Sequence, residues 1–402
     1  MLESANIIFT HCDSMTRTTI RNILALGSIF ACRMLGLFMI LPVFSLYAQG
    51  LAHTTPVLIG LALGIYGLTQ AIFQIPFGIW SDFMPRKKVI AMGLIIFGLG
   101  SLVAGLSHSI NGIILGRALQ GVGAVGSTII ALVADLTDAV DRPKAMGIIG
   151  ATIGLSFTVA LIAGPVLMRF VTVPSLFLIT SVLALLCLFI LWKGVSPAPK
   201  HCLSDNRQPL TQRLKQLLKN KALARLNASI FISHALLTAL FIALPLQLSQ
   251  QIGLAAEQQW RLYLPVFLIA AIIIGGLLRR MRHSDQQQHY FRTCVACICL
   301  SLLGFSCQPH HLWSLGAVLL VFFIGFTLLE ALLPSLVTLL APHDQRGTAL
   351  GIYSSCQFLG IFSGGLLGGL LWEHFSATGF YLGLLILSIL WLMISWPKFE
   401  LK

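Results

Sequence analysis

Twelve apolar runs of roughly 20 residues or more constrain this chain before any motif does, because a run of that length crosses a hydrocarbon core of roughly 30 Å as a single helix. They lie near residues 22–48, 57–81, 88–107, 110–134, 144–169, 174–193, 223–249, 260–279, 290–308, 312–340, 347–372 and 377–397. Inside lipid every backbone N–H and C=O must find its partner within the protein, and a helix supplies that partner locally. The expected fold class is therefore an all-α membrane protein with 12 transmembrane helices. With 57% hydrophobic and only 10% charged residues, the chain has too little polar surface for a water-soluble domain. Met1 to Arg21 is polar and mixed and lacks the compact apolar core of a cleavable signal. The first span is expected to stay as an anchor.

A net charge of +13 raises the question of nucleic acid, and the distribution of the charge answers it. Of the 26 Lys and Arg residues, 22 fall on the side that would hold both termini, from Arg17 and Arg21 through Arg86, Lys87, Lys88 and Arg142 to Arg346 and Lys402. Arg169 and Arg261 fall on the other side, and Arg33 and Arg117 lie inside spans. The positive-inside rule accounts for this sorting and places both termini in the cytoplasm. The expected partners are membrane lipid and a small molecule, with no nucleic acid, and a monomer suffices. Cys294, Cys297 and Cys299 have a metal-like spacing, but they sit in a lipid-length apolar run with no second ligand pair. Helix packing and no metal site is the expectation.

Residues 194–222 form the one long polar interruption, with Pro197, Pro199, Pro209 and a cationic run to Lys221. They separate a six-span half at 1–193 from a second at 223–402. An internal repeat supports this division. Arg142-Pro-Lys-Ala-Met-Gly147 echoes Arg346-Gly-Thr-Ala-Leu-Gly351, and Gly164-Pro165 echoes Gly368-Gly369, always at an offset of 204.

The residues of chemical interest are the polar ones that remain inside apolar runs. A cation at mid-membrane costs between roughly 2.5 and 17 kcal/mol, depending on how water relieves it, so Arg33 in span one is expected to face a wet cavity. Gln70 and Gln74, four apart in span two, line that cavity or bond neighbouring helices. Span four carries Gly116-Arg117-Ala-Leu-Gln120-Gly121-Val-Gly123-Ala-Val-Gly126. Its formal dinucleotide fingerprint lacks the preceding strand that reading requires, so mid-helix close packing at Gly121 and Gly123 is expected instead. Glu330 is the one carboxylate well inside an apolar run. Such a setting disfavours the charged form, which suits it to gain and lose a proton. His234 and Gln247 in span seven and Gln357 in span eleven complete the set. No clustered nucleophile and metal set suggests an enzyme.

Between spans two and three stands Gly78-Ile-Trp-Ser-Asp82-Phe-Met-Pro85-Arg86-Lys87-Lys88. Asp82 near a helix C-terminus meets the negative end of the dipole and needs a cation such as Arg86. Gly78, on the same face, leaves room for another backbone. This stretch resembles the loop signature of the major facilitator superfamily, G-x-x-x-D-R-x-G-R-[RK]-x, matching at Gly78, Asp82, Arg86 and Lys87 and departing at Phe83 and Pro85. Arg117-Ala-Leu-Gln120-Gly121-Val-Gly123 resembles the superfamily's fourth-helix motif, and Gly150, Gly154 and Gly164-Pro165 partly resemble its antiporter motif, with Leu167 and Met168 in place of two glycines. Runs such as Arg33-Met-Leu-Gly-Leu-Phe-Met-Ile-Leu-Pro42, Gln74-Ile-Pro-Phe-Gly78 and Glu330-Ala-Leu-Leu-Pro-Ser335 are similar to the YajR-like proton-driven drug efflux subgroup. The protein for which that subgroup is named carries a small soluble domain after its last helix. This chain ends at Lys402, so regulation through such a domain is not expected.

The resemblance implies a major facilitator fold of two pseudo-symmetric halves around a cavity lined by spans 1, 4, 7 and 10. It implies a proton-coupled efflux antiporter of drug-like or amphiphilic compounds in a bacterial inner membrane, powered by the proton gradient without a cofactor. Glu330, Arg33, Arg117, Gln120 and His234 would serve the cavity and proton coupling. Gly78, Asp82, Arg86, Lys87 and Asp135 would latch the cytoplasmic face, and Gly121, Gly123, Gly164, Pro165, Gly351 and Gly368 would pack helices. A proton-coupled importer or a facilitator of a metabolite would share the fold. A non-transporting membrane receptor or enzyme is the reading from another class.

Overall fold

The computed structural model describes residues 16–138, 140–197, 210–280, 284–342 and 345–395. Residues 1–15, Pro199 and Pro209 of the linker, and Lys200, Arg207, Arg282, Lys398 and Lys402 lie outside the described residues.

Among the described residues fifteen α-helices follow one another: α1 (Arg17–Phe38), α2 (Leu41–Ala48), α3 (Pro56–Phe83), α4 (Arg86–Leu106), α5 (Ile110–Val122), α6 (Gly126–Asp135), α7 (Arg142–Leu167), α8 (Val173–Gly194), α9 (Leu210–Lys219), α10 (Lys221–Gln250), α11 (Trp260–Arg280), α12 (Ser284–Ser306), α13 (Leu312–Leu340), α14 (Arg346–His374) and α15 (Ala377–Ser395). They make twelve stretches long and apolar enough to cross a membrane, so the chain is an integral membrane protein. Local chemistry sets several starts. Thr55, Ser109 and Asn220 cap α3, α5 and α10 by accepting from first-turn N–H groups, and Pro56 follows Thr55 at a position where its missing N–H costs nothing.

Two spans are broken where the sequence suggested continuity. The first stops at Phe38 and restarts at Leu41. Pro42 explains this, since its ring conflicts with the carbonyl four residues earlier, that of Phe38. The fourth is interrupted at 123–125, where Gly123 takes φ −69° and ψ 47°. The expectation of mid-helix glycines is therefore corrected: Gly123 ends a helix. A Cβ there would collide with the Gly93 carbonyl of α4, and one at Gly121 would collide with the Tyr66 carbonyl of α3. Close approach to two neighbours fixes the bend, and glycine alone permits it.

In the first half α4 packs on α5 and α8, and α1 on α7 and α8. In the second, α12 packs on α13 and α15, and α11 on α13. Three seams join the halves: α3 against α14, α2 against α10, and α7 against α11. The repeat reappears in three dimensions, because α7 and α14 begin at residues 204 apart. Gly164 lies against the Met39 carbonyl and Gly368 against Ala239, whose Cα a Cβ would meet at 2.8 Å, so each glycine seats its helix on the first span of its own half. Gly164→Ala is expected to destabilise by about 1–3 kcal/mol through overpacking against fixed backbone, read as a lowered thermal midpoint. Gly150→Ala, which faces open space, should leave the midpoint unchanged.

The seams are not uniform along their length. At the end away from the cation-rich connections, the α3 and α14 backbones touch: a Cβ on Gly369 would meet the Pro56 carbonyl at 2.7 Å, and one on Gly64 would meet the Phe362 carbonyl at 2.8 Å. Toward the cation-rich end the same elements separate. Gly147, Gly150 and Gly154 of α7, Gly275 and Gly276 of α11, and Gly347 and Gly351 of α14 have nothing within 4 Å of a Cβ position. Gly351 therefore packs against no neighbour here, contrary to the role expected for it. Gly78 likewise meets only the Ser127 hydroxyl, at 3.9 Å, and no other backbone. The two halves enclose a cleft that is shut at the far end and open at the cation-rich end.

Candidate functional site

Two clusters of ionisable residues sit in the helix bundle, one in each half. In the second half, α10 presents His234 and α13 presents Glu330. The His234 Nδ1 lies 3.7 Å from the Glu330 Oε1 and 3.3 Å from the Ile230 carbonyl one turn back. On the other edge of the ring, Gln357 of α14 places its Nε2 at 2.9 Å from the His234 Nε2. With the Gln357 amide donating, Nε2 of His234 is the acceptor. The ring proton then sits on Nδ1, pointed toward the Ile230 carbonyl and the glutamate. Phe326, one turn before Glu330, lies 5.4 Å from the imidazole, centroid to centroid, and 5.9 Å from Phe157 of α7. Tyr353, one turn before Gln357, is buried, and its hydroxyl has no hydrogen-bond partner among the described residues. The Glu330 side chain remains 32% exposed, although its Oε1 is covered. One face of this carboxyl lies against the histidine ring and the rest is open.

The first half holds its cations differently. Arg33, 2% exposed, donates through NH2 to the Gln70 Oε1 at 2.7 Å and to the Tyr66 hydroxyl at 3.2 Å. Its guanidinium lies 5.5 Å from the Phe97 ring. Arg117, 3% exposed, donates to the Ala62 and Leu63 carbonyls and to the Gln120 Oε1 at 2.9 Å, with the Tyr66 ring 5.2 Å away. Gln120 passes the chain on to the Ser101 hydroxyl at 2.7 Å. The expectation that Arg33 faces open water is thus replaced by a finding: amide, phenol and ring groups take water's place around it. Neither arginine bonds a carboxylate among the described residues. Gln70→Leu removes the shortest of these bonds and is expected to cost about 2 kcal/mol, the scale of a buried hydrogen bond to a charge. A thermal-shift measurement checks it.

The clusters approach each other without touching. Arg117 borders a cavity of about 10 Å³ with Leu37, Phe38 and Leu63, and its opposite wall is Leu237 and Thr238 of α10 with Ile361 of α14. Thr238 donates to the His234 carbonyl, so one turn of α10 separates the cavity from the His234 and Glu330 pair.

At the cation-rich end, Arg86 Nε lies 2.5 Å from the Asp135 Oδ2, and Arg86 NH2 lies 3.9 Å from the Asp82 Oδ1. Asp82 is 47% exposed. The loop between α3 and α4 is only Met84 and Pro85. Both have negative φ, so the turn needs no left-handed residue. Lys87 leaves this group: its Nζ donates to the Val195 carbonyl at 2.7 Å and lies 5.9 Å from the Trp192 ring. The structure brings together Asp135 and Arg86, and His234 and Glu330, and it keeps Arg33 and Arg117 apart from Glu330. Sequence reasoning passed over Tyr66, Ser101, Thr238 and Tyr353. Each sits in an apolar run where a lone hydroxyl reads as packing, and only the fold sets Tyr66 against Arg33, Ser101 against Gln120, Thr238 beside the small cavity and Tyr353 one turn from Gln357.

Residues 26–365 match the sequence profile of the Major Facilitator Superfamily. The chain belongs to this superfamily. It is accordingly a membrane transporter of a small molecule and not an enzyme. This superfamily member is similar to the inner membrane transport protein YajR of Escherichia coli (strain K12), with 39% identity over 370 residues, covering 92% of this chain and 81% of that protein. The quinolone resistance protein NorA of Staphylococcus aureus (strain MSSA476) is more distant, at 27% identity over 361 residues, covering 85% of this chain and 88% of NorA. Among solved structures, a bacterial homolog of the human lysosomal transporter Spinster superposes with a TM-score of 0.74 at 15% identity, covering 93% of this chain and 94% of that one. That likeness concerns the fold.

Proposed function

We propose that this superfamily member is a proton-coupled efflux antiporter of small amphiphilic compounds, working by alternating access in a bacterial inner membrane with both termini in the cytoplasm. The observation that carries the reading is Glu330: a carboxyl in the middle of an apolar span, backed by His234 at 3.7 Å and otherwise open. Such a group takes a proton when the cleft faces one side and releases it when the cleft faces the other. Arg33, Arg117 and Gln120 hold the first-half wall positive, and His234 orients the carboxyl. Asp82, Arg86 and Asp135, with Gly78, latch the cytoplasmic face when it closes, and Lys87 ties their loop to the end of α8. Phe38 and Phe157, half-buried and backed by the buried rings of Phe267 and Phe326, supply the apolar, ring-lined surface that amphiphilic compounds favour. The name of NorA points the same way. All of these groups come from one chain, so a monomer suffices.

A proton moved through the membrane potential is worth roughly 2.3 kcal/mol per 100 mV, enough to drive the cycle. Fluorescent-dye retention in cells lacking their own pumps tests the reading. An antiporter that exports lowers dye retention, and an uncoupler restores it. Dye uptake that collapses with the uncoupler would identify an importer and overturn the proposal.

A further inference from the structure

The far-end gate is closed by more than glycine contacts. Across the seam between α7 and α11, Arg169, just past the end of α7, donates from Nε to the Glu257 carbonyl at 3.4 Å. Its guanidinium lies 5.2 Å from the Trp260 ring at the start of α11. Across the seam between α3 and α14, Glu373 in the last turn of α14 accepts at Oε2 from the backbone N–H of Val57, at 3.2 Å. Val57 is the second residue of α3, so this carboxylate from one half satisfies a free N–H at the positive end of a helix in the other half. Thr55 caps the same helix through the Leu58 N–H, which leaves the Val57 N–H for Glu373.

We propose that Arg169 and Glu373 are the two positioning residues that hold the far-side gate shut, one on each lateral seam and each reaching in the opposite sense from the other. Arg169 extends a cation from the first half onto neutral acceptors of the second. Glu373 extends an anion from the second half onto neutral donors of the first. The third seam, between α2 and α10, is tied by the Ser45 hydroxyl on the Phe241 carbonyl at 3.1 Å, with no charge involved. Placing the charges on the two outer seams lets them resist rocking about the central one.

The partners also suit a gate. A charge set on a ring face or a helix terminus gains modest free energy and returns to water when the halves part, so neither clasp leaves a buried charge behind. A salt bridge buried in the same seam would have to be broken at much greater cost. The proposal rests on the transport reading for its meaning, but it concerns only the balance between two shapes of the protein, which is measurable without substrate or gradient.

The test uses the full chain in lipid nanodiscs, with its cysteines replaced and spin labels at Asn111→Cys and Ser314→Cys, exposed far-end positions in opposite halves. The label-to-label distance distribution gives the ratio of far-open to far-closed protein. Arg169→Gln and Glu373→Gln are each expected to raise that ratio about threefold, and the double variant about tenfold. Arg169→Lys, which keeps a cation over Trp260, should stay within about twofold of the parent. Distributions for the double variant that superimpose on the parent's, or a lysine variant as open as the glutamine one, would overturn the proposal. Dye efflux recorded on the parent keeps the outcomes separate: the clasps can fail while proton-driven export stands, and export can fail while the distances shift as stated.

Discussion

Proteoliposomes carrying Glu330→Gln are expected to lose all ability to hold a dye gradient when a proton-motive force is imposed. For a neutral dye exchanged against one proton, 100 mV sustains a concentration ratio of roughly 50 in the parent, since roughly 2.3 kcal/mol is available. The variant should relax to a ratio of about one, because glutamine keeps the shape of glutamate and carries no transferable proton. Downhill dye movement should continue, since the cleft, its aromatic wall and the His234 hydrogen bond to Gln357 are untouched. His234→Gln should act more mildly, as it removes the residue that orients the carboxyl and leaves the proton carrier in place. A Glu330→Gln transporter that still concentrates dye would remove Glu330 from the mechanism.

Glycine substitutions at opposite ends of α14 are expected to stop transport in opposite conformations. A Cβ on Gly365 would run into the Gly60 carbonyl of α3, so Gly365→Val wedges the far-end seam apart. Overpacking of this kind costs about 1–3 kcal/mol, which shifts the balance between the two shapes by roughly 5- to 150-fold toward far-open protein. Gly351→Val meets nothing within 4 Å, and the structure described here accommodates it. Its added bulk matters only when the cation-rich end closes, so this variant should accumulate in the far-closed shape. Far-end distances and cysteine accessibility read the difference directly. Both variants losing flux with the same distance distribution would contradict alternating use of the two seams.

Much of this architecture is written in local sequence, because lipid demands long apolar helices and each announces itself by length alone. The breaks were harder to foresee. Pro42 separates α1 from α2, yet Pro76, Pro165 and Pro334 lie inside continuous helices, so a proline by itself does not decide between kink and stop. The fourth span bends where α4 crowds Gly123 and α3 crowds Gly121, a fact about neighbours that no local pattern carries. At the site, Glu330 and His234 each stood out as ionisable groups in apolar runs. Their pairing depends on the adjacency of α10 and α13, and the Gln357 contact on that of α14. Arg33 stood out as well, but its shelter by Tyr66, Gln70 and Phe97 comes from α3 and α4. Gly164 and Gly351 belong to the same repeated pattern and behave differently, because only one end of the molecule is closed. Sequence records the capacity for a contact, and conformation decides whether it is made.

Proton movement driven by substrate alone is the most direct test of the account. Parent proteoliposomes are loaded with ethidium and the pH dye pyranine, at equal pH inside and out, and then diluted so that ethidium leaves down its gradient. Antiport through Glu330 predicts that protons enter as ethidium exits, so the lumen acidifies, and that Glu330→Gln abolishes the acidification while ethidium still leaves. Ethidium leaving the parent vesicles with the lumen unchanged or made alkaline would contradict it.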